Sequence, residues 1–370
     1  MKKIVCTAAT LIAASCAGNA MAQSAITIYG LVDTGVEYIT NSNTAGNSVV
    51  KMPSLTGSYP SRLGFKGSED LGAGMQAIFV LEAGLEVNSG AMNQGNRLFG
   101  RQSYVGLKND ENTLMLGRQV NMTYIASLKS DVIGPSIYSI GSMDPYLPNA
   151  RSDNAIGYLG NFLGNTVTVG ATYSFGRDTS TAGGPSATGC AGEVAGDAAT
   201  CRQYTGLIAY DNKSYGISGS YDKMNGGAGE YYSGGGVISA ASTDSTDRRI
   251  TVNGFVMLGD VKIGGGLINR QTLTTSNSVS NLGYLGVSYP FNSMWVADVQ
   301  ISRLSFSGTS NSTNLEVARL TYNLSKRTAL YAIVGHVTNA GTDAVSAEAA
   351  GSVNAGQGQT GIMTGIRHTF

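Results

Sequence analysis

The chain has 370 residues, among them 51 glycines, 7 prolines and 19 tyrosines, with 24 basic and 24 acidic side chains. So even a balance excludes a protein that holds nucleic acid through a strongly basic surface. Beyond the first residues no apolar run approaches the roughly 20 residues needed for a membrane-crossing helix, which excludes a helical membrane protein.

The first segment reads as a secretion signal. Lys2 and Lys3 supply the charged start, residues 4–18 a mostly apolar stretch, and Ala20-Met21-Ala22 an A-x-A cleavage site before Gln23. The alternative, a lipoprotein cut before Cys16, has only a poor match in Ala13-Ala14-Ser15. Residues 1–22 are therefore expected to be removed, leaving 23–370 as an exported chain. Its uniform texture, with no linker-like break, argues for one domain where length alone permits two or three.

From Ile26 onward the pattern is alternation, which places successive side chains on opposite faces of a strand. In the first strand Ile26, Ile28, Gly30, Val32, Val36 and Tyr38 share one face; Thr27, Tyr29, Asp33 and Glu37 share the other. Sixteen strands are predicted near 26–39, 59–68, 73–87, 96–108, 112–118, 151–160, 165–175, 203–211, 214–223, 248–259, 260–270, 281–290, 293–305, 313–324, 327–338 and 359–370. Alternation alone also fits a soluble sandwich. The connections decide against it, because they alternate short and long. Glu69-Asp70-Leu71-Gly72, Asp211-Asn212-Lys213, Pro290-Phe291-Asn292 and Leu324-Ser325-Lys326 are short, while 40–58, 119–150, 176–202, 224–247 and 339–358 are long. An even strand number with short turns at one end and long loops at the other is the pattern of an outer-membrane β-barrel. With about sixteen strands the interior is too wide for side chains to fill. Water then solvates Asp33, Glu82, Glu86 and Asp298 on the inner face.

Cys6 and Cys16 leave with the signal. Cys190 and Cys201 remain in one Gly/Ala/Ser/Thr-rich loop, which suits a local disulfide made in an oxidising compartment, the alternative being two unpaired thiols. No metal-ligand spacing and no cofactor motif appears. The chain ends Thr360-Gly361-Ile362-Met363-Thr364-Gly365-Ile366-Arg367-His368-Thr369-Phe370, with Ile362, Thr364, Ile366, His368 and Phe370 on one strand face. That ending resembles the signal read by the bacterial barrel assembly machinery, with Ile366, His368 and Phe370 as its side chains.

Six stretches carry a wider resemblance: Ile28-Tyr29-Gly30-Leu31-Val32-Asp33, residues 61–72 (SRLGFKGSEDLG), residues 101–107 (RQSYVGL), Gly117-Arg118, residues 323–328 (NLSKRT) and the closing residues 365–370. Together and in this order the chain resembles the Gram-negative general porins, in particular their beta-proteobacterial branch. The resemblance implies an all-β, sixteen-stranded antiparallel barrel with an inward-folded third loop. It implies a homotrimer in outer-membrane lipid that passes small hydrophilic solutes and inorganic ions and uses no cofactor. It also implies a constriction in which Arg62, Arg101 and Arg151 face Asp131 and Asp144 of the third loop, residues 119–150, with Lys129 near Asp131. Arg101 shares a strand face with Ser103, Val105 and Leu107, so it reaches the lumen if Gln102, Tyr104 and Gly106 face out. Arg118, at the mouth of the loop, has either a structural or a pore-lining place. Three arginines against two acids, one of them offset by Lys129, predict weak to moderate anion preference, since arginine keeps its charge at any physiological pH. A substrate-specific channel or a surface adhesin is a rival reading. An enzyme is a weaker one, because only His336 and His368 are present to act as a general base in a histidine-dependent site.

Overall fold

The computed structural model describes residues 25–177, 190, 192–227, 230–233, 236–239, 242–274 and 277–370. The secretion signal expected over 1–22 lies outside them. Alternating side chains produce strands, and among the described residues sixteen of them form the wall. They are β1 (Ala25–Ile39), β2 (Arg62–Gly72), β3 (Met75–Gly84), β4 (Gln102–Lys108), β5 (Asn112–Val120), β6 (Arg151–Phe162), β7 (Val167–Ser174) and β8 (Gln203–Asp211). The second half supplies β9 (Tyr215–Asn225), β10 (Thr246–Leu258), β11 (Val261–Leu273), β12 (Ser278–Pro290), β13 (Trp295–Phe306), β14 (Ser312–Asn323), β15 (Thr328–Ala340) and β16 (Gln359–Thr369). Each pairs antiparallel with its neighbours in sequence, and β1 pairs with β16 to close the sheet. Closure leaves no open edge, the condition a sheet must meet to sit in lipid. β1 changes partner along its length: Ala25–Leu31 lies on β2 and Leu31–Ile39 on β16. A three-residue strand, Val49–Lys51, takes over from β2 beside Glu37–Ile39.

The faces follow the alternation. Val36, Tyr38, Val299, Ile301, Ile362, Ile366 and Phe370 are exposed on the outside, while Asp33, Glu37, Asp298 and Gln300 are buried on the inside. Aromatic pairs border the apolar band. Tyr210–Tyr215, Tyr289–Phe291 and Trp295–Tyr322 sit beside the short turns, with ring centroids 5.9, 4.8 and 4.5 Å apart. Tyr173–Phe175 lies toward the loop end. These are the two interfacial girdles of a membrane barrel.

Several boundaries move. β2 starts at Arg62 and runs through Gly72, so residues 69–72 are strand, and the turn is Ala73-Gly74. β3 stops at Gly84 and β4 starts only at Gln102. Residues 85–101 form a further loop in which Leu85 bridges Met92, because Asn88-Ser89-Gly90 turns the chain although the apolar alternation runs on. Glu86, expected on the inner wall, belongs to that loop. The Cys190–Cys201 disulfide is formed in the loop after β7. The Arg177 guanidinium beside it donates to the Cys201, Arg202 and Asn225 carbonyls.

The core is not between layers of the wall but inside it. Val132, Ile133, Ile137, Tyr138, Ile140, Met143 and Leu147 of the third loop pack on Ile268, Leu282, Leu315, Ile333 and Met363 of the inner wall. Glycines make the seat. Gly335 and Gly361 are cross-strand partners, and a Cβ on Gly335 would stand 2.7 Å from Tyr138 Cγ. Only the missing side chains let the Tyr138 ring lie flat on the wall.

Candidate functional site

The third loop, residues 121–150, is built from short capped turns. Asn121 accepts from the Thr123 and Tyr124 amides and starts the helical turn Met122–Ser127. Ser139 accepts from the Gly141 amide and starts Ile140–Met143. Such caps satisfy amides that would otherwise be orphaned. From there the loop is tied to the wall by polar groups. Arg319 on β14 donates 3.0 Å bonds to the Ile133 and Val132 carbonyls while its Nε holds Asp298 at 2.9 Å. The Tyr138 hydroxyl donates to Glu37 of β1 at 2.6 Å. Asp222 of β9 accepts from Asn121, Thr123 and Tyr146. These ties run from β9 round to β1, so the loop leans on that side and leaves the wall of β2 to β4 uncovered.

On the uncovered side the structure brings Arg62, Arg101 and Arg151 together. Glu82 of β3 accepts from Arg101 Nε at 2.7 Å and from the Tyr29 hydroxyl at 2.9 Å, with Arg62 Nε at 3.9 Å. Arg151 Nε donates to the Arg101 carbonyl at 2.8 Å and its Nη1 to Asn149 at 3.2 Å. Arg62 keeps 28% of its side chain exposed, whereas Arg101 keeps 7%. Arg62 is thus the member with most contact with the lumen. Two guanidiniums meet the Glu82 carboxylate, and the third, Arg151, is tied in through the Arg101 carbonyl.

Arg101 reaches this place by a route opposite to the expected one. Glu82 faces the lumen and pairs with Gln102, so Gln102, Tyr104 and Gly106 face inward. Val105 and Leu107 point outward and are exposed. Arg101 stands one residue ahead of β4, where the chain has not yet entered the pleat, and bends in to Glu82. Arg118 pairs in register with Ser103, yet its side chain is largely buried: it donates to the Gly100 carbonyl at 2.7 Å and meets the buried Asp153 at 3.7 Å. A register shift between Gly117 and Gln119 marks this point, as at a β-bulge that re-aims a side chain. Arg118 is a wall contact.

The loop acids do not face the arginines. Asp144 is clasped by Arg249 of β10 at 2.8 and 3.0 Å. Asp131 accepts from the Gly134 amide at 2.9 Å and from Gln300 at 3.0 Å. Burial pushes the Asp131 carboxyl above its ordinary range, against the bonds it accepts. Lys129 does not pair with Asp131; it meets Asp211 at the end of β8. The physical reason is spacing. The loop is long enough to cross the lumen, so its acids reach cations on the far wall. Glu82 enters the cluster instead, and its inward parity was the sequence signal for it. His336 lies outward and exposed, within 2.8 Å of Thr360, away from the lumen.

Comparison with known proteins places these features. A sequence profile described as "Gram-negative porin" matches residues 8–342. The chain is 29% identical to outer membrane porin protein 32 of Delftia acidovorans, over the full length of both. Its fold is similar to an anion-selective porin from Comamonas acidovorans, with 26% identity, a TM-score of 0.77, and 94% of this chain and 100% of that one covered. It is also similar in fold to the trimer form of OmpT of Vibrio cholerae, at 14% identity and a TM-score of 0.65, covering 94% and 99%.

Proposed function

This chain belongs to the Gram-negative porin family, a family of non-enzymatic outer-membrane channels, and we propose that its channel is weakly to moderately anion-selective. The observation that carries this reading is the cluster itself. Arg62 and Arg101 share the carboxylate of Glu82, Arg151 is held beside them by the Arg101 carbonyl, and Asp131 and Asp144 are bound to the wall. Fixed guanidiniums beside the water path lower the energy of a passing anion and raise that of a cation. Desolvation of the ion is not required, so the field sorts small hydrophilic solutes by charge without binding them tightly.

The same reading includes a homotrimer seated in outer-membrane lipid by the exposed apolar band. Residues 1–22 direct export and are removed. Ile366 and His368, which face outward on β16, and Phe370 just after it serve as the assembly signal. The test is the reversal potential of the purified protein in a planar bilayer under a potassium chloride gradient. An anion-favouring potential supports the assignment. A cation-favouring one overturns it and makes the lumen carboxylates the governing charges.

A further inference from the structure

A second place in the lumen has a different chemistry. On the short-turn side of the third loop a pocket opens between the loop and the wall, lined by Ile125, Ala126 and Leu128 from the loop and by Leu207, Ala209 and Phe255 from β8 and β10. Apolar lining inside a water-filled channel has no role in the passage of inorganic ions. Two charged groups line it, Lys129 and Asp211, and a third, Lys262, stands next to its Phe255 wall. Lys129 pairs with Asp211, and the Lys262 ammonium stands over the Phe255 ring, 5.2 Å from its centroid. Asp131 and Asp298 are also near enough to act on Lys262. Both are engaged elsewhere, Asp298 by Arg319 and Asp131 by Gln300 and the Gly134 amide. Around the pocket two ammonium groups, Lys129 in its lining and Lys262 over its Phe255 wall, therefore stand against the one carboxylate of Asp211.

We propose that this pocket binds small carboxylates that carry an apolar body, with the body between Leu128 and Phe255 and the carboxylate on Lys262 and Lys129. A phenyl ring would bury apolar surface there, which chloride cannot do. The charge would meet an ammonium already positioned over an aromatic ring. The site is separate from the guanidinium cluster, so it stands or falls independently of the channel's chloride preference.

The experiment uses the full-length protein in a planar bilayer in potassium chloride, with benzoate, acetate or benzamide added to either side. Benzoate is expected to reduce single-channel conductance saturably, at concentrations at least tenfold below those of acetate or benzamide. Lys262→Gln and Leu128→Ser should each raise the half-blocking concentration about tenfold. Leu128 is 49% exposed and Lys262 partly so, and neither change removes a core contact. Arg62→Gln should shift the reversal potential and leave the benzoate half-block unchanged. Absence of block, equal block by benzoate and either control, or a half-block moved by neither pocket substitution overturns the proposal.

Discussion

Replacing Arg62, Arg101 and Arg151 together by glutamine should turn the channel toward cations. The local charge falls from three guanidiniums against Glu82 to Glu82 alone. For an ion passing ~6 Å from each guanidinium through water, each charge is worth about 0.7 kcal/mol, and screening at 0.15 M salt halves this roughly. Three charges then change the anion's energy by about 1 kcal/mol and the cation's by as much in the opposite sense. The anion-to-cation permeability ratio should fall by roughly thirtyfold, since 1.4 kcal/mol is a factor of ten. The assay is the reversal potential under a tenfold salt gradient, on protein whose folded barrel is verified by heat-dependent gel migration. A triple variant that folds and keeps the parent's reversal potential would refute the assignment of selectivity to this cluster.

Other consequences can be checked separately. Arg249→Met leaves the Asp144 carboxylate without its bidentate partner, a loss of about 3–5 kcal/mol for a buried pair; open-channel current noise should rise, and a trace as quiet as the parent's counts against the loop being held there. Burial raises the Asp131 carboxyl, so the folded chain binds that proton more tightly than the unfolded one, and the group's contribution to stability falls as pH rises through its raised value. Asp131→Asn keeps an oxygen for Gln300 and the Gly134 amide, and should therefore raise the thermal midpoint at neutral pH, with the gain vanishing in acid; a gain that persists in acid contradicts the cause. Cys201→Ser frees a loop closed across 11 positions, worth about 3 kcal/mol to that loop by chain entropy; conductance should be unchanged while protease nicks the loop faster. Deleting Phe370, whose main chain pairs with Gly30 at the barrel seam, should lower the fraction assembled in the outer membrane several-fold, and undiminished assembly in cells would remove its role as a signal.

The alternation of Ile26 to Tyr38, of Trp295 to Ser302 and of the last eleven residues was enough to place side chains inside or outside, because a strand's period is two whatever it packs against. Composition and the short turns added the closed barrel. Legibility failed where a strand ends without a break in pattern. Leu85 and Val87 continue the alternation of β3, yet the chain turns at residues 88–90 into a loop. Arg101 was assigned to the lumen for a reason of parity that the register of Glu82 with Gln102 reverses.

What the sequence determined by itself is thus the fold, the membrane-facing and water-facing sides, and the pairing expected of Cys190 with Cys201; the gathering of Arg62, Arg101 and Arg151 was implied only by the family resemblance. Only the tertiary structure decided which charges meet. Glu82 joins the arginines, Asp144 goes to Arg249, Asp131 to Gln300, and Lys129 to Asp211. Periodicity is a local property of the backbone and survives in the sequence. The partner of a charge on a long loop depends on where the loop crosses the lumen, and that is set by apolar packing and glycine seats on strands more than a hundred residues away.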